Sequence, residues 1–345
     1  MIRPFALRDL ALVHRLSGYL VPLHTESALT HNPHPVRDAL VSMVSGDYPT
    51  LVWKSADREA AGFIQLQVPA ESSHARIFFL GATPEAANLE GDLPKNSESL
   101  GLNEAVWLSL LDQAVMEVGR RGIHSLVAEV SETGAELPIL RRAGFAVYTR
   151  QDIWVLESAP ELEMARRKLL RPRQAIDDWD IQLLYANIVP RLVQSVEPLP
   201  PLSNGESWVL REDGELMAFI HIYKGSLSSW LRLFIHPHAE AAVDEIVFAA
   251  MQVARPTATQ PVFCCVRRYQ SWLQGSLHRA GFSLWGSQAV MVKHTVKHQK
   301  KAVTELTAVL EGQGIPASAP IVQRYHRLHT NGKSSVHDRT PGKTR

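Results

Sequence analysis

Two side chains in this sequence lie where they could accept a proton from an amine. Glu129 is near the end of the apolar run "HSLVAEV", and His236 directly precedes a proline in "FIHP". A carboxylate or an imidazole within hydrogen-bonding distance of a reacting group can act as a general base. Glu129 and His236 are therefore the candidate catalytic bases. The structural alternatives are a carboxylate facing solvent at a strand end and a histidine that caps a turn.

Histidines and cysteines offer no clearer chemistry. Short histidine groups occur in "HNPH", "HPH" and "HTVKH", but none combines paired spacing with the third ligand that marks a zinc site. We therefore predict no metal site. Cys264 and Cys265 are adjacent in the apolar run "VFCCV", where a disulfide between them would be strained. They are expected to be small, unreactive side chains of a strand.

The composition is that of a globular protein with room for two domains. The 345 residues are 45% hydrophobic and 21% charged, which is enough apolar material for two cores. The formal net charge of +1 argues against a nucleic-acid footprint over the whole molecule. No apolar run approaches the roughly eighteen residues needed to cross a bilayer, so we expect a cytoplasmic protein without a membrane partner. Nothing in the sequence indicates the oligomeric state.

The C-terminal region differs in composition from the rest of the chain. Residues 297–314, "KHQKKAVTELTAVLEGQG", have the apolar spacing of a short amphipathic helix, which we place within a segment at 296–317. Residues 318–345 are rich in basic, small and polar residues and cannot bury enough apolar surface to order themselves. We predict a flexible basic tail there. An arm that binds nucleic acid is the alternative.

An internal repeat organises the remainder. The stretch "LRRAGF" at 140–145 returns as "LHRAGF" at 277–282. Four further pairs follow the same order, including "IRPFALRD" with "LRPRQAID" and "ARIFFLGATP" with "LRLFIHP". Five matching segments in one order predict two copies of a single unit. We place the copies at 1–157 and 169–295, with a linker at 158–168.

Each copy predicts a strand, a helix, three strands, a long helix, a strand, a short helix and a final strand. In the first copy, Asn103 is available to cap the long helix. Gly144 is placed to end the short helix in the left-handed conformation. Hairpin strands followed by strands alternating with helices indicate an α/β fold with a mixed sheet.

This order, with an Arg-Pro…Asp segment at its head, a strand that ends in proline before the long helix, and "AGF" after the last helix, resembles the GNAT superfamily of N-acetyltransferases. The resemblance covers nearly all of the chain except the tail. Two such units in tandem are similar to the architecture of mycothiol synthase. The resemblance implies transfer of an acyl group from acetyl-coenzyme A, as a co-substrate, to an amine of a small molecule or peptide.

The resemblance also implies where the coenzyme would bind. In the family, one strand offers its backbone to the pantetheine arm, and a glycine-rich turn at the start of the long helix holds the pyrophosphate, because helix N-termini attract anions. The second copy has Glu240, Asp244 and Glu245 near that helix start, and their charges oppose an anion. The first copy is therefore the expected site, with Leu80, Gly81 and Ala82 for pantetheine and Gly101, Leu102 and Asn103 for phosphate.

The family's acid is a tyrosine four residues before the Gly-Phe pair, where this sequence has Leu140 and Leu277. A leucine cannot donate a proton. Two main hypotheses follow: an N-acyltransferase that uses its first domain, and a non-catalytic protein that holds a small ligand or partner in the groove between its domains. A protein directed to nucleic acid by its tail is a third hypothesis.

Overall fold

The computed structural model describes residues 2–56, 60–68, 73–84, 103–158 and 169–295. Gly101 and Leu102 lie outside these ranges, as do nearly all of the expected linker, the expected C-terminal helix and the basic tail. Residues Met1–Lys297 belong to one compact unit. Below, residues 2–158 are called the first half and residues 169–295 the second half.

The described strands form one mixed sheet. In the first half they are β1 (Ile2–Pro4), β2 (Leu20–Pro22), β3 (Thr50–Lys54), β4 (Ala61–Gln67), β5 (His74–Ala82), β6 (Ser125–Ser131) and β7 (Ala146–Leu156). In the second half they are β8 (Arg171–Pro172), β9 (Glu206–Glu212), β10 (Glu215–Lys224), β11 (Ser229–Ile235), β12 (Val262–Arg267) and β13 (Ser283–His294).

Helices connect these strands in a similar order in both halves. The first half has α1 (Leu10–Leu16), α2 (Thr25–Thr30), α3 (Pro35–Ser45), α4 (Glu104–Arg120) and α5 (Glu136–Arg142). The second half has α6 (Asp178–Ile188), α7 (Arg191–Gln194), α8 (Val243–Ala254) and α9 (Gln274–Arg279). The predicted mixed α/β fold is confirmed. None of the described helices is long and apolar enough to span a membrane.

The segment at the start of each half contains an ion pair between an arginine and a buried aspartate. The Asp9 carboxylate is fully buried, accepts a hydrogen bond from Arg3 at 2.6 Å and accepts another from the Ala6 amide at 3.1 Å. Asp177 repeats this arrangement with Arg171 at 2.7 Å. The hydrogen bond from Arg171 holds the pKa of Asp177 below its usual range. The repeated Arg-Pro…Asp pattern therefore fixes the first strand against the following helix.

The helix ends follow the local sequence. Asn103 caps α4 by accepting a hydrogen bond from the Val106 amide at 3.2 Å. Gly144 and Gly281 follow α5 and α9 with φ of 83° and 91°, the left-handed conformation that favours glycine. The roles predicted for Asn103 and Gly144 are confirmed.

The final strands of the two halves are exchanged within the sheet. The strand order is β1-β3-β4-β5-β6-β13-β7-β12-β11-β10-β9-β8. Thus β13 from the second half pairs with β6 of the first, while β7 from the first half pairs with β12 of the second. The two exchanged strands pair antiparallel, and Gln151 lies opposite its repeat counterpart Gln288. The halves are therefore joined through a continuous sheet, and the predicted boundaries at 157 and 169 stay a prediction.

Candidate functional site

In the first half, two central strands diverge, and another segment of the chain enters the gap. The parallel pairing of β5 with β6 is limited to residues 74–76 and 125–127. Beyond it, β2 pairs antiparallel with β5, with Leu20 opposite Gly81 and Val21 opposite Leu80. The Leu23 amide donates to the Phe78 carbonyl at 2.9 Å, and the Leu23 carbonyl accepts from the Glu129 amide at 2.8 Å. Residues 20–23 therefore bridge β5 and β6.

This bridge occupies the strand edge expected for pantetheine. Leu80 and Gly81 pair with β4 on one side and with β2 on the other, while Ala82 pairs with β4 alone. The Leu80 side chain is fully buried, and a Cβ added at Gly81 would lie 2.6 Å from the Phe63 ring. An extended pantetheine arm and β2 cannot use the same edge of β5. The edge of β5 at Leu80 and Gly81 is therefore already paired in this structure, and the binding of acetyl-coenzyme A at these residues stays a prediction.

The two candidate bases lie in different surroundings and are not brought together. The Glu129 carboxylate is inside the protein and accepts a hydrogen bond from the Thr25 amide at 2.8 Å. Burial acts to raise the pKa of Glu129, but His24, Arg267 and the Thr25 amide outweigh it and lower the pKa to about 2. His236 accepts a hydrogen bond at Nδ1 from the His238 amide at 3.2 Å, which is the turn cap weighed as its alternative.

At the two positions where the GNAT family has its proton-donating tyrosine, this chain has buried core residues. Leu140 and Leu277 are both fully buried, each within the apolar core of its own half. A leucine at such a position contributes packing energy and no proton. The described structure thus assigns neither a good general base nor this general acid to the first half.

A buried polar network joins the halves instead. Gln151 Nε2 donates to Gln288 Oε1 at 2.7 Å, and Thr25 Oγ1 donates to the same oxygen at 2.7 Å. Arg267 donates to Gln151 Oε1 and also pairs with Glu197. The repeated glutamines of the exchanged strands are thus the centre of a network that contacts both halves.

A second arginine extends this network. Arg232 on β11 donates to Glu26 of α2 at 2.6 Å and to Glu197 at 3.4 Å. Burial opposes the charge on Arg232, but both carboxylates outweigh it and raise its pKa. The Arg232 charge is therefore retained inside the protein because two carboxylates surround it.

Beside this network is a cavity of about 370 Å³ that both halves line. We call it the central cavity. The first half contributes residues from β4, β5 and the segment around α2, and the second half contributes β10, β11 and the loop at 198–204. Its principal polar side chains are His24, Glu26, Arg76, His221, Tyr223 and Arg232.

Two histidines of the central cavity, His24 and His221, are neutral near pH 7. Burial lowers the pKa of His24 to about 4, and its Nδ1 lies 2.7 Å from Ser27 Oγ. The His24 ring stacks on Phe78 with ring centres 5.4 Å apart. Burial also lowers the pKa of His221, whose Nε2 lies 2.6 Å from the Asn204 carbonyl oxygen. The arginine and carboxylate side chains on the cavity wall are Arg76, Arg232 and Glu26.

The second half contains a smaller opening. β11 and β12 pair over residues 229–232 and 262–265 and then diverge. Tyr185, Tyr269 and Gln270 line the gap, and Gln270 Nε2 donates to the Leu233 carbonyl at 3.1 Å. Among the described residues no strand pairs with these diverging edges. Burial raises the pKa of Tyr185 to about 12, so this phenol keeps its proton at neutral pH.

The cysteines of β12 are unreactive, as predicted. Cys264 and Cys265 are buried, and burial raises the pKa of Cys265 to about 12. The thiolate is the nucleophilic form of cysteine, and with a raised pKa it is scarce near neutral pH.

The sequence analysis did not identify the arginines of the central cavity. Arg76 and Arg232 occupy the same position in the repeated segments "ARIFFL" and "LRLFI". A charged side chain kept at one position of two otherwise apolar strands was the signal that could have identified them.

Comparisons with known proteins find similarity in solved structures only. No protein-family model and no curated protein matches the chain. A GCN5-related N-acetyltransferase from Sphaerobacter thermophilus is 11% identical with a TM-score of 0.48, and the match covers 86% of this chain and 96% of that one. A tandem GNAT protein from the clavulanic acid biosynthesis pathway is 12% identical with a TM-score of 0.43, over 87% and 99% of the two chains.

A third example is a GNAT-family acetyltransferase from Colwellia psychrerythraea, 11% identical with a TM-score of 0.42, over 86% of this chain and 100% of that one. At these identities and TM-scores, the similarity concerns the fold and not the activity of this chain. Solved structures similar to this chain thus include a GCN5-related N-acetyltransferase, a GNAT-family acetyltransferase and a tandem GNAT protein.

Proposed function

We propose that this protein binds a small molecule in the central cavity between its two halves. The observation that carries the proposal is that Arg76 and Arg232, which occupy the same position in the two repeats, both face this one cavity. Ligand sites are concave and combine a few convergent polar groups with a largely preformed wall. A volume of about 370 Å³ falls within the range of roughly 300–1,000 Å³ that small-molecule sites occupy.

Three features of the first half favour binding over acyl transfer there. β2 pairs with the strand edge that pantetheine would use. Leu140 is a core side chain, and the low pKa of Glu129 makes its carboxylate a weak base. Each feature supports packing or ligand binding at these residues over proton transfer by them.

The test is a binding titration with a variant that fills the cavity. Gln67 lies at the end of β4 and lines the central cavity, so Gln67→Trp should reduce the space for a ligand. Gln182 on α6 is exposed and does not line it, so Gln182→Trp is the matched control. Thermal-shift screening of the full chain against small polar metabolites should give stabilising compounds, and Gln67→Trp alone should lose the shifts. Equal shifts in both variants would place the ligand elsewhere.

Acyl transfer from acetyl-coenzyme A to the amine of a small molecule or peptide is the second candidate, now in the second half. The observation that favours it is the gap between β11 and β12, which no described strand fills and which Tyr185 and Tyr269 line. Glu240, Asp244 and Glu245 near the start of α8 oppose an anionic coenzyme. A stabilising shift with millimolar acetyl-coenzyme A that is retained in Gln67→Trp would support this candidate, and no shift would exclude it.

A further inference from the structure

We propose that the ligand of the central cavity carries a carboxylate group, which the Arg76 guanidinium binds. This inference rests on the proposed function and names the chemical class of the ligand. It derives from a difference between two arginines that the internal repeat makes equivalent.

Arg232 shows what this position of the repeat binds. Its guanidinium donates to the Glu26 carboxylate at 2.6 Å and to the Glu197 carboxylate at 3.4 Å. One of these partners comes from each half of the chain. At the equivalent position in the first half, Arg76 is half-buried on the same cavity. The structure gives it no hydrogen bond or ion pair with any residue in the described ranges.

The other buried charges are already engaged. Glu197 is shared by Arg232 and Arg267, and Glu26 is held by Arg232. Glu129 and Glu26 both attract Arg76 electrostatically, but Glu129 Oε2 accepts a hydrogen bond from the Thr25 amide and Glu26 Oε2 accepts one from Arg232. The carboxylates of this interior therefore leave the donors of Arg76 without a direct acceptor.

The loop at 198–204 lines the central cavity from the second half with no carboxylate, and its one polar lining side chain is the amide of Asn204. Residues 198–201 line the central cavity with the sequence Pro-Leu-Pro-Pro. These side chains have no hydrogen-bonding groups, so this part of the wall is apolar. Arg76 thus faces an apolar stretch of wall and an open volume. A partly buried guanidinium in these surroundings favours a ligand that supplies a negatively charged acceptor.

The charges on the wall favour a monoanion. A guanidinium matches a carboxylate with two parallel N–H···O bonds. Glu26 lines the same cavity, and Arg232 lowers its pKa despite burial, so it stays ionised and repels a second negative charge. A carboxylate satisfies Arg76 with one charge, whereas a phosphate monoester brings nearly two near pH 7. Neutral His24 and His221 add no charge to balance the second.

The experiment compares carboxylates with the matched amides, in which a neutral carboxamide replaces the negatively charged carboxylate. Isothermal titration of the full chain would use acetate with acetamide, benzoate with benzamide, glycine with glycinamide, and inorganic phosphate. We expect at least one carboxylate to bind roughly tenfold or more tightly than its amide, since hydrogen bonds to charged groups are the stronger ones. Arg76→Gln should remove this preference. Arg141→Gln, on the exposed face of α5, is the control and should keep it.

The outcomes separate this inference from the proposed function. If carboxylates and amides bind equally and Gln67→Trp abolishes both, the cavity is a ligand site and the carboxylate assignment is wrong. Phosphate binding that is tighter than any carboxylate and is lost in Arg76→Gln would also overturn it. If no probe binds the unaltered chain, both proposals fail. If Arg76→Gln does not fold, Arg76→Lys is the substitute variant. A lysine keeps the positive charge but lacks the planar pair of donors, so this variant should retain only part of the preference for carboxylates over amides.

Discussion

His24 should make the protein less stable as the pH falls from 7 to 5. Its ring is only 7% exposed, and burial lowers its pKa from 6.5 to about 4. In the unfolded chain the same imidazole takes up a proton near pH 6.5. Between these values the unfolded state binds a proton that the folded state excludes. The free energy of unfolding therefore increases with pH across this range and decreases on acidification.

The size of the effect follows from the two pKa values. At pH 7 both states are mostly neutral at this position, and the contribution of His24 is close to zero. At pH 5 the unfolded histidine is almost fully protonated while the folded one is not, which costs about 2 kcal/mol of stability relative to pH 7. Burial lowers the pKa of His221 and of His74 as well, so the whole protein should lose more than this amount.

The measurement is urea unfolding at pH 7 and pH 5, followed by tryptophan fluorescence, for the unaltered chain and for His24→Gln. The variant lacks the titrating group but retains every other histidine, so its loss of stability between the two pH values should be smaller by about 2 kcal/mol. Because the pH dependence is compared, any general destabilisation by the substitution cancels. His238→Gln removes an exposed histidine and should leave the dependence as it is. Equal pH dependence in the unaltered chain and His24→Gln would refute the reasoning.

Three further predictions concern the contacts between the halves. Gln288→Leu leaves two buried donors without their shared acceptor, so urea unfolding should show a loss of about 3 kcal/mol; unchanged stability would contradict the network. Arg232→Met leaves Glu26 without its ion-pair partner and removes one of the two arginines that contact Glu197. It should cost roughly 3–5 kcal/mol, against less than about 1 kcal/mol for Lys224→Met at an exposed pair. Gly225→Ala would place a Cβ 2.3 Å from a backbone oxygen of the first half and should lower stability by about 1–3 kcal/mol. Gly286→Ala, where no atom lies within 4 Å of the added carbon, should melt close to the unaltered chain.

The local structure was predictable because residues near one another in the chain determine it. The Gly-Phe pairs end their helices through a left-handed glycine and hydrogen bonds to carbonyls of the last helical turn. Asn103 caps α4 through an amide three residues away. The repeat itself, visible in the sequence, predicted the order of elements in both halves and the mixed α/β fold.

The position of β2 was not predictable by the same means. Residues 20–22 form a strand of three residues, too short for a periodic pattern, and their partner β5 begins more than fifty residues later. The resemblance therefore assigned this edge of β5 to pantetheine without any indication that β2 pairs with it. Similarly, Glu129 has a pKa near 2 because His24, Arg267 and Thr25 surround it, and all three are over one hundred residues away in the sequence.

The sequence by itself predicted two copies, their elements and their apolar faces, and it carries Arg76 and Arg232 at the same point of the repeated segments. Only the tertiary structure decided that β7 and β13 exchange places. The two strands carry similar apolar patterns, so either can cover the same faces in either half, and pattern alone does not choose between the pairings. This exchange brings Gln151 beside Gln288 and places both arginines on one cavity, which is why the candidate site became visible only once the chain was folded.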